Sequence, residues 1–249
     1  MMDSKIGRYD FAIESAACDF EGKAPLTYLC SLLLTAAGLH ADDKSFGFTQ
    51  LAKQNKAWVI SRIGLYVNHY PQHEEIIHVE TWIENIEKYF TRRCFAVLDK
   101  DNKEIGYAQT IWAAIDMQTR RPCNIADLGS NIMDYLGADK SFPVKKMGKI
   151  GAVDKEALFL HSPKYSDIDI NKHFNSVKYI EHMLDMFDFK VFESKMIRSF
   201  EIVYLAEALP ENVLAFHWEQ ESDNQFLVDI KNNENKESVC RASLVFGEK

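Results

Sequence analysis

The most informative stretch of this chain reads Asp167-Ile168-Asp169-Ile170-Asn171-Lys172-His173-Phe174-Asn175-Ser176-Val177-Lys178-Tyr179. It places a carboxylate, an amide and an imidazole at alternate positions just before an amphipathic helix. If the segment is extended, Asp169, Asn171 and His173 project in one direction and converge on one reacting group. The pattern predicts a candidate active site. The same residue types also serve as turn and capping residues before helices, which is the alternative interpretation.

The helix that follows is predicted over residues 175–192. Asn175 or Ser176 is a good N-cap. Apolar residues recur beyond it at helical spacing and predict one buried face. The members of that face are Val177, Ile180, Met183, Leu184, Phe187 and Val191.

The chain reads as two similar halves, each a helix followed by strands. In the first half, a helix over 25–39 precedes strand-like runs at 57–68, 76–86, 89–99 and 104–117. In the second half, the helix over 175–192 precedes runs at 198–207, 212–221, 225–231 and 238–246. Alternation within the runs and polar turns between them predict antiparallel strands. The repetition predicts a duplication.

The length, composition and charge of the chain limit the classes of function that it can have. With 249 residues, of which 47% are hydrophobic, the chain can bury a large core. The formal charge of −8 disfavours nonspecific nucleic-acid binding, which depends on phosphate neutralisation. The longest apolar stretch, 29–39, is shorter than the roughly 18 residues of a membrane span. The first residues lack the apolar core of a secretory signal, so a cytoplasmic location is expected.

The sequence carries no sign of a cofactor or metal site. It contains neither a nucleophile elbow, a phosphate loop nor a dinucleotide fingerprint. The five cysteines, at 18, 30, 94, 123 and 240, are never spaced as Cys-x-x-Cys, so we expect them to be reduced and buried. Pro71 separates His69 from His73 and disfavours a helical metal-binding pair.

The decisive stretch resembles the Asp-x-Asn-x-His-x-Asn-x-x-Tyr segment of the acyl-ACP thioesterases of plants and bacteria, the Fat-type family. The resemblance covers about residues 28–246 and is weakest in the linker and at both ends. Further matching segments are Trp58-Val59-Ile60-Ser61-Arg62, Tyr70-Pro71, Val79-Glu80-Thr81-Trp82, Thr91-Arg92-Arg93 and the run from Trp112 to Arg120-Arg121.

The resemblance implies an α+β fold of two tandem hotdog units, in each of which a curved antiparallel sheet wraps a long central helix. The expected division is an N-terminal unit over 1–123 that shapes the acyl-chain pocket, a linker over 124–150, and a C-terminal unit over 151–249 with the catalytic residues. Two fused units already supply the pairing that single-hotdog proteins obtain by dimerising, so a homodimer is left open.

The resemblance also implies the catalytic residues Asp169, Asn171, His173 and Glu207. Family members show Tyr-x-x-Glu-Cys where this chain has Tyr204-Leu205-Ala206-Glu207-Ala208. Because Ala208 cannot form an acyl-enzyme, the departure favours water as the nucleophile over a thiolate. We expect Glu207 with His173 to deprotonate water, Asn171 to donate to the thioester oxygen and Asp169 to hold the arrangement. Which of Glu207 and His173 is the general base stays open.

The expected function is hydrolysis of fatty acyl-acyl carrier protein, which releases a free fatty acid and ends chain elongation. Leu29, Leu33 and Trp58 are candidate walls of the acyl pocket, although core packing explains each of them equally. Since the carrier protein is acidic, a basic docking patch is expected, and its candidates are Arg120, Arg121, Lys145, Lys146, Lys149 and Lys164. The alternative is that these residues form a solvated linker surface.

Three other functions remain open at this point. A hotdog acyl-CoA thioesterase would use the same chemistry but bind a nucleotide in place of a carrier protein. A hydratase of related fold would add water to an enoyl bond. A noncatalytic acyl-thioester sensor would be expected to have lost the catalytic groups or gained a DNA-binding segment, and this chain shows neither change.

Overall fold

The computed structural model describes residues 5–128, 131–143 and 147–249. The chain divides into two compact units, Met1–Lys146 and Met147–Lys249, which are described separately below. The predicted bounds of the linker stay a prediction. Among the described residues, no helix is both long enough and apolar enough to span a membrane.

The first unit is an antiparallel sheet packed against one long helix. Its elements are β1 (Gly7–Ala12), α1 (Leu26–Asp43), α2 (Phe48–Ala52), β2 (Lys56–Val67), β3 (Ile76–Ile86), β4 (Phe90–Leu98) and β5 (Glu104–Asp116). The strand order is β1-β3-β4-β5-β2. Helix α1 buries Leu29, Leu33 and Ala36, so a core helix lies against the sheet as predicted.

The second unit repeats this plan with shorter helices. Its elements are β6 (Phe159–His161), α3 (Ser176–Leu184), α4 (Phe189–Ser194), β7 (Lys195–Tyr204), β8 (Leu214–Ser222), β9 (Gln225–Asn232) and β10 (Ser238–Glu248). The strand order is β7-β10-β9-β8-β6, with antiparallel pairing. The Tyr204 hydroxyl donates to the Ser176 carbonyl over 2.8 Å and joins the end of β7 to the start of α3.

The prediction of one continuous helix over 175–192 is wrong in its extent. The first helix ends at Leu184, and a second begins at Phe189. The Asp188 side chain accepts from the Lys190 backbone N–H over 2.9 Å and caps the second helix. An aspartate cap favours the start of a new helix over continuation of the previous one. The apolar residues therefore keep helical spacing although they belong to two separate helices. The predicted N-cap at Asn175 is confirmed, because its side chain accepts from the Val177 N–H over 2.8 Å.

The cysteines are all free, but not all of them are buried. Cys30, Cys94 and Cys240 lie in the core, whereas Cys18 and Cys123 are partly exposed. Burial raises the pKa of Cys30 and of Cys94 to about 12 and raises that of Cys240 well above its usual value. These three buried thiols are therefore protonated and unreactive at neutral pH.

Candidate active site

The segment between Asp167 and α3 forms a closed loop, which we call the catalytic loop (residues 168–174). Ile168 and Phe174 pair across its base, and the Asp169 N–H donates to the His173 carbonyl over 2.8 Å. Inside the loop, Asp169 Oδ1 accepts from the N–H groups of Asn171 and His173, over 2.8 and 3.1 Å. The segment is therefore not extended, and the expectation that three alternate side chains project together is wrong.

The carboxylate of Asp169 explains the difference. A short side chain that accepts from main-chain N–H groups two and four residues ahead stabilises a turn over an extended strand. Lys172 completes the turn with φ +63°. Asp169 thus holds Asn171 and His173 through their backbones, with its own side chain turned inward to the loop.

His173 faces Glu207, and this pair is the candidate catalytic pair of the second unit. The distance between His173 Nε2 and Glu207 Oε2 is 3.6 Å, and the two side chains are 24% and 45% exposed. Glu207 lies three residues beyond the end of β7, so its expected place within a strand is wrong. The Phe174 N–H donates to the Ala208 carbonyl over 2.9 Å, which holds the two segments side by side. A carboxylate and an imidazole at this separation can share a proton through small movements or through one water molecule.

Asn171 lies at the exposed tip of the catalytic loop. Its side-chain amide makes no hydrogen bond to any residue within the described ranges 5–128, 131–143 and 147–249, so both amide hydrogens are open to a ligand. No hydrogen bond joins this amide to His173 or Glu207 in the same ranges. Its predicted role as a donor to substrate stays a prediction.

Position 208 holds a buried alanine that is 1% exposed. It leaves the site without a thiol next to Glu207. With no thiol at this position, water is the simplest nucleophile for the pair to activate.

The first unit contains an apolar cavity of 210 Å³ beside α1. Leu34 and Ala37 of α1, Trp58 of β2 and Ile83 of β3 are among the residues that line it. The Trp58 indole N–H donates to the Phe46 carbonyl over 2.8 Å, which fixes the ring in the wall. Leu29 and Leu33, the other two predicted wall residues, are buried in the core and do not line this cavity.

One wall of the cavity carries a buried cation. Arg93 of β4 donates through Nη1 to His40 Nδ1 over 2.8 Å and to Thr81 Oγ1 over 3.2 Å. Burial and the charge of Arg93 lower the pKa of His40 to about 3, so its neutral ring can accept this hydrogen bond. The Arg93 guanidinium therefore stays charged next to its neutral acceptors, His40 and Thr81, at the edge of the apolar cavity.

The predicted docking residues are only partly described. Arg120 and Arg121 are exposed in the turn after β5, where Arg120 has φ +57°. Lys149 is exposed in the second unit. Lys145 and Lys146 lie outside the described residues.

A group that the sequence interpretation missed lies at the base of the catalytic loop. We call it the His–Asp–His cluster (His161, Asp167 and His182). Asp167 accepts from His161 Nε2 over 2.8 Å and from His182 Nε2 over 2.9 Å, and its side chain is only 5% exposed. The three residues come from β6, a short 3₁₀ helix and α3, so no local spacing in the sequence brings them together.

This cluster predicts a specific acid sensitivity. Burial of Asp167 opposes ionisation, but hydrogen bonds from His182, the Lys164 backbone and His161 outweigh it and lower the carboxyl pKa from 3.8 to about 2. A lowered folded-state pKa stabilises the fold above the unfolded-state pKa and loses that contribution as pH falls through the folded-state value. We expect about 2 kcal/mol, lost between about pH 4 and pH 2.

Denaturant unfolding of the wild type and of Asp167→Asn at several pH values measures this contribution. The difference in unfolding free energy between the two proteins should shrink as the pH falls through that window. A difference that stays constant over the whole range would contradict the assignment.

Two units, each with antiparallel strands packed against helix, and an imidazole–carboxylate pair in the second unit define a double hotdog protein with a candidate hydrolytic site. The chain belongs to the acyl-ACP thioesterase family. The model of the acyl-ACP thioesterase N-terminal domain matches residues 5–132, and that of the C-terminal domain matches residues 152–247.

Similar proteins agree with this placement. A solved acyl-ACP thioesterase from Bacteroides thetaiotaomicron is 41% identical, with 98% of each chain covered and a TM-score of 0.92. The 12:0-ACP thioesterase from Umbellularia californica, 23% identical, covers 100% of both chains with a TM-score of 0.85 and shows the shared fold. A chloroplastic palmitoyl-acyl carrier protein thioesterase of Arabidopsis thaliana is 30% identical over an alignment of 232 positions, which covers 86% of this chain and 55% of the plant protein. The chain thus spans about half the length of that relative.

Proposed function

We propose that this protein hydrolyses the thioester of fatty acyl-acyl carrier protein and releases the free fatty acid. The observation that carries the proposal is the pairing of His173 with Glu207 beside an alanine, in a chain of the acyl-ACP thioesterase family. The pair supplies a base, and Ala208 supplies no thiol. The apolar cavity of the first unit offers a place for the acyl chain.

The reaction proceeds by attack of water on the thioester carbonyl. Glu207, with His173 beside it, orients the water and accepts its proton as the new carbon–oxygen bond forms. The Asn171 amide donates to the carbonyl oxygen as negative charge develops there. The carbon–sulfur bond then breaks, and the departing thiolate of the carrier takes up the proton.

The direct test is thiol release from acyl-ACP and acyl-CoA substrates with matched acyl chains. The proposal predicts faster hydrolysis of acyl-ACP. A preference for acyl-CoA would assign the protein to the other thioesterase class. Absence of hydrolysis with both substrates would leave a sensor or a hydratase, which product analysis with an enoyl thioester separates.

The carrier-protein partner is also part of the proposal. Arg120, Arg121 and Lys149 are exposed cations suited to an acidic partner. Replacing them with glutamine should raise KM for acyl-ACP at low ionic strength and leave KM for a small acyl thioester unchanged. The cytoplasmic location and the homodimer are further proposals. Cell fractionation tests the location, and light scattering tests the homodimer.

Trp58 is expected to limit the length of the acyl chain. In Trp58→Leu the cavity gains the difference in volume between an indole and an isobutyl group, so longer chains fit. Each methylene accommodated is worth on the order of 10-fold in relative kcat/KM. The ratio of kcat/KM values for long and short acyl-ACP substrates should therefore rise.

Trp218→Leu is the matched control. Trp218 is a partly buried tryptophan on β8 that packs near Phe187 and Phe226 and does not line the cavity. Its substitution should lower stability without changing the ratio. If both variants change chain preference equally, the cavity is not the acyl site.

A further inference from the structure

The His–Asp–His cluster concentrates three hydrogen bonds on one carboxylate. Asp167 Oδ2 accepts from His161 Nε2 over 2.8 Å and from the Lys164 N–H over 2.7 Å. Oδ1 accepts from His182 Nε2 over 2.9 Å. Since an ionised carboxylate only accepts, each imidazole carries a hydrogen on Nε2. Hydrogen bonds to a charged, nearly buried acceptor are the stronger kind.

The cluster lies at the base of the catalytic loop and joins both of its ends. The Asp167 carbonyl accepts from the Asn175 N–H over 2.7 Å, and Asn175 in turn caps α3. His182 lies one to two turns further along the same helix, so its bond to Asp167 fastens the helix to the start of the loop. His161 fastens that start to β6. The catalytic loop is therefore held through Asp167, which His182 joins to α3 and His161 joins to β6.

Aromatic rings pack around the His–Asp–His cluster and hold its side chains in place. Phe174, the last residue of the catalytic loop, packs edge-on against His161 at 6.0 Å and near His182 at 5.8 Å between ring centroids. Phe216 of β8 contacts both imidazoles from another side. The imidazole side chains are only 16% and 18% exposed.

We propose that His161 and His182 are positioning residues that act through Asp167 to hold the catalytic loop. This inference rests on the proposed function. Neither imidazole touches the reacting atoms. Their hydrogen bonds fix the base from which Asp169 places the backbones of Asn171 and His173. Loss of one donor lets the loop shift, and a displacement of about 1 Å costs on the order of 10²-fold in rate.

The donor set of the cluster also resembles a metal site, because its ligand atoms lie within 4.8 Å of one another. Two features favour hydrogen bonding. Both Nε2 atoms lie at hydrogen-bond distance from the carboxylate, and the Asp167 oxygens already accept three N–H groups. A metal ion would have to displace both imidazole hydrogens.

The test compares two substitutions at His182. Glutamine can present an N–H near the position of Nε2, whereas leucine fills the space without a donor. We expect His182→Leu to lower kcat on acyl-ACP by about 10- to 100-fold with KM unchanged, and His182→Gln to recover most of the loss. Hydrogen exchange at the Asn171 and His173 amides should become faster in the leucine variant alone.

His217→Leu is the matched control, since His217 of β8 bonds to the Lys155 carbonyl and not to the catalytic loop. It should leave kcat and loop exchange unchanged. Equal kcat in the leucine and glutamine variants, or unchanged exchange, would overturn the proposal. So would a stoichiometric transition-metal ion in the purified protein. If the wild type does not hydrolyse acyl-ACP, the proposed function fails, while hydrogen exchange still decides whether the cluster holds the loop.

Discussion

Glu207→Gln is expected to lower kcat for acyl-ACP hydrolysis by about 10²–10⁴-fold, the usual contribution of general-base assistance. Glutamine keeps the size and position of the side chain but cannot accept the proton of water. The carboxylate lies 3.6 Å from His173 Nε2, and no thiol next to it can replace its role. Steady-state kinetics over a range of substrate concentrations measures the change.

The loop between β7 and β8, which contains Glu207, also offers a matched control. Glu211 is an exposed carboxylate four residues further along. Glu211→Gln removes one negative charge from the same region and should leave kcat within the error of the wild type. Similar losses in both variants would indicate a general charge effect. Near-full activity of Glu207→Gln would show that the carboxylate is not the base.

Asn171→Ala should lower kcat by about 10²–10³-fold, which is the typical cost of removing one donor to a developing oxyanion. The amide is exposed and makes no hydrogen bond to residues 5–128, 131–143 or 147–249, so its loss should leave the melting temperature unchanged. Asp169 holds the loop through the Asn171 backbone, which the substitution retains. Kinetics and thermal unfolding of the same preparation separate the two effects.

Two variants sharpen the test at Asn171. Asn171→Asp is nearly isosteric but replaces the donating amide by a negative charge, so it should be at least as damaging as alanine. Asn235→Ala changes an exposed asparagine in the turn between β9 and β10 and should leave kcat unaltered. If Asn171→Asp keeps activity, the oxyanion is stabilised by other groups.

The strands and the start of α3 could be predicted because their causes are local. Alternation along β3 predicts its bounds, Ile76–Ile86, to the residue. The cap at Asn175 depends on a side chain two residues from its partner. The approach of Glu207 to His173 is different, because it joins residues 34 positions apart. The local pattern predicted His173, whereas only the family resemblance predicted Glu207 as its partner.

The rest of the site depends on contacts that a sequence pattern does not show. The catalytic loop is turned, and not extended, because one carboxylate oxygen of Asp169 accepts from two backbone N–H groups. Strand β6 has only three residues, too few for a visible period, yet it supplies His161. His161 and His182 are 21 positions apart, yet both bond to Asp167 and their ring centroids lie 4.2 Å apart. Contacts of this kind can be identified only from the tertiary structure.

The proposed function depends on direct attack of water on the thioester, since this chain has alanine where the resembling family has cysteine. Rapid-quench analysis of the first turnover on acyl-ACP, with mass spectrometry of the quenched protein, follows that step. Carrier thiol and free fatty acid should appear together, with no acyl group on the protein. A burst of thiol ahead of fatty acid, together with an acylated protein, would contradict it.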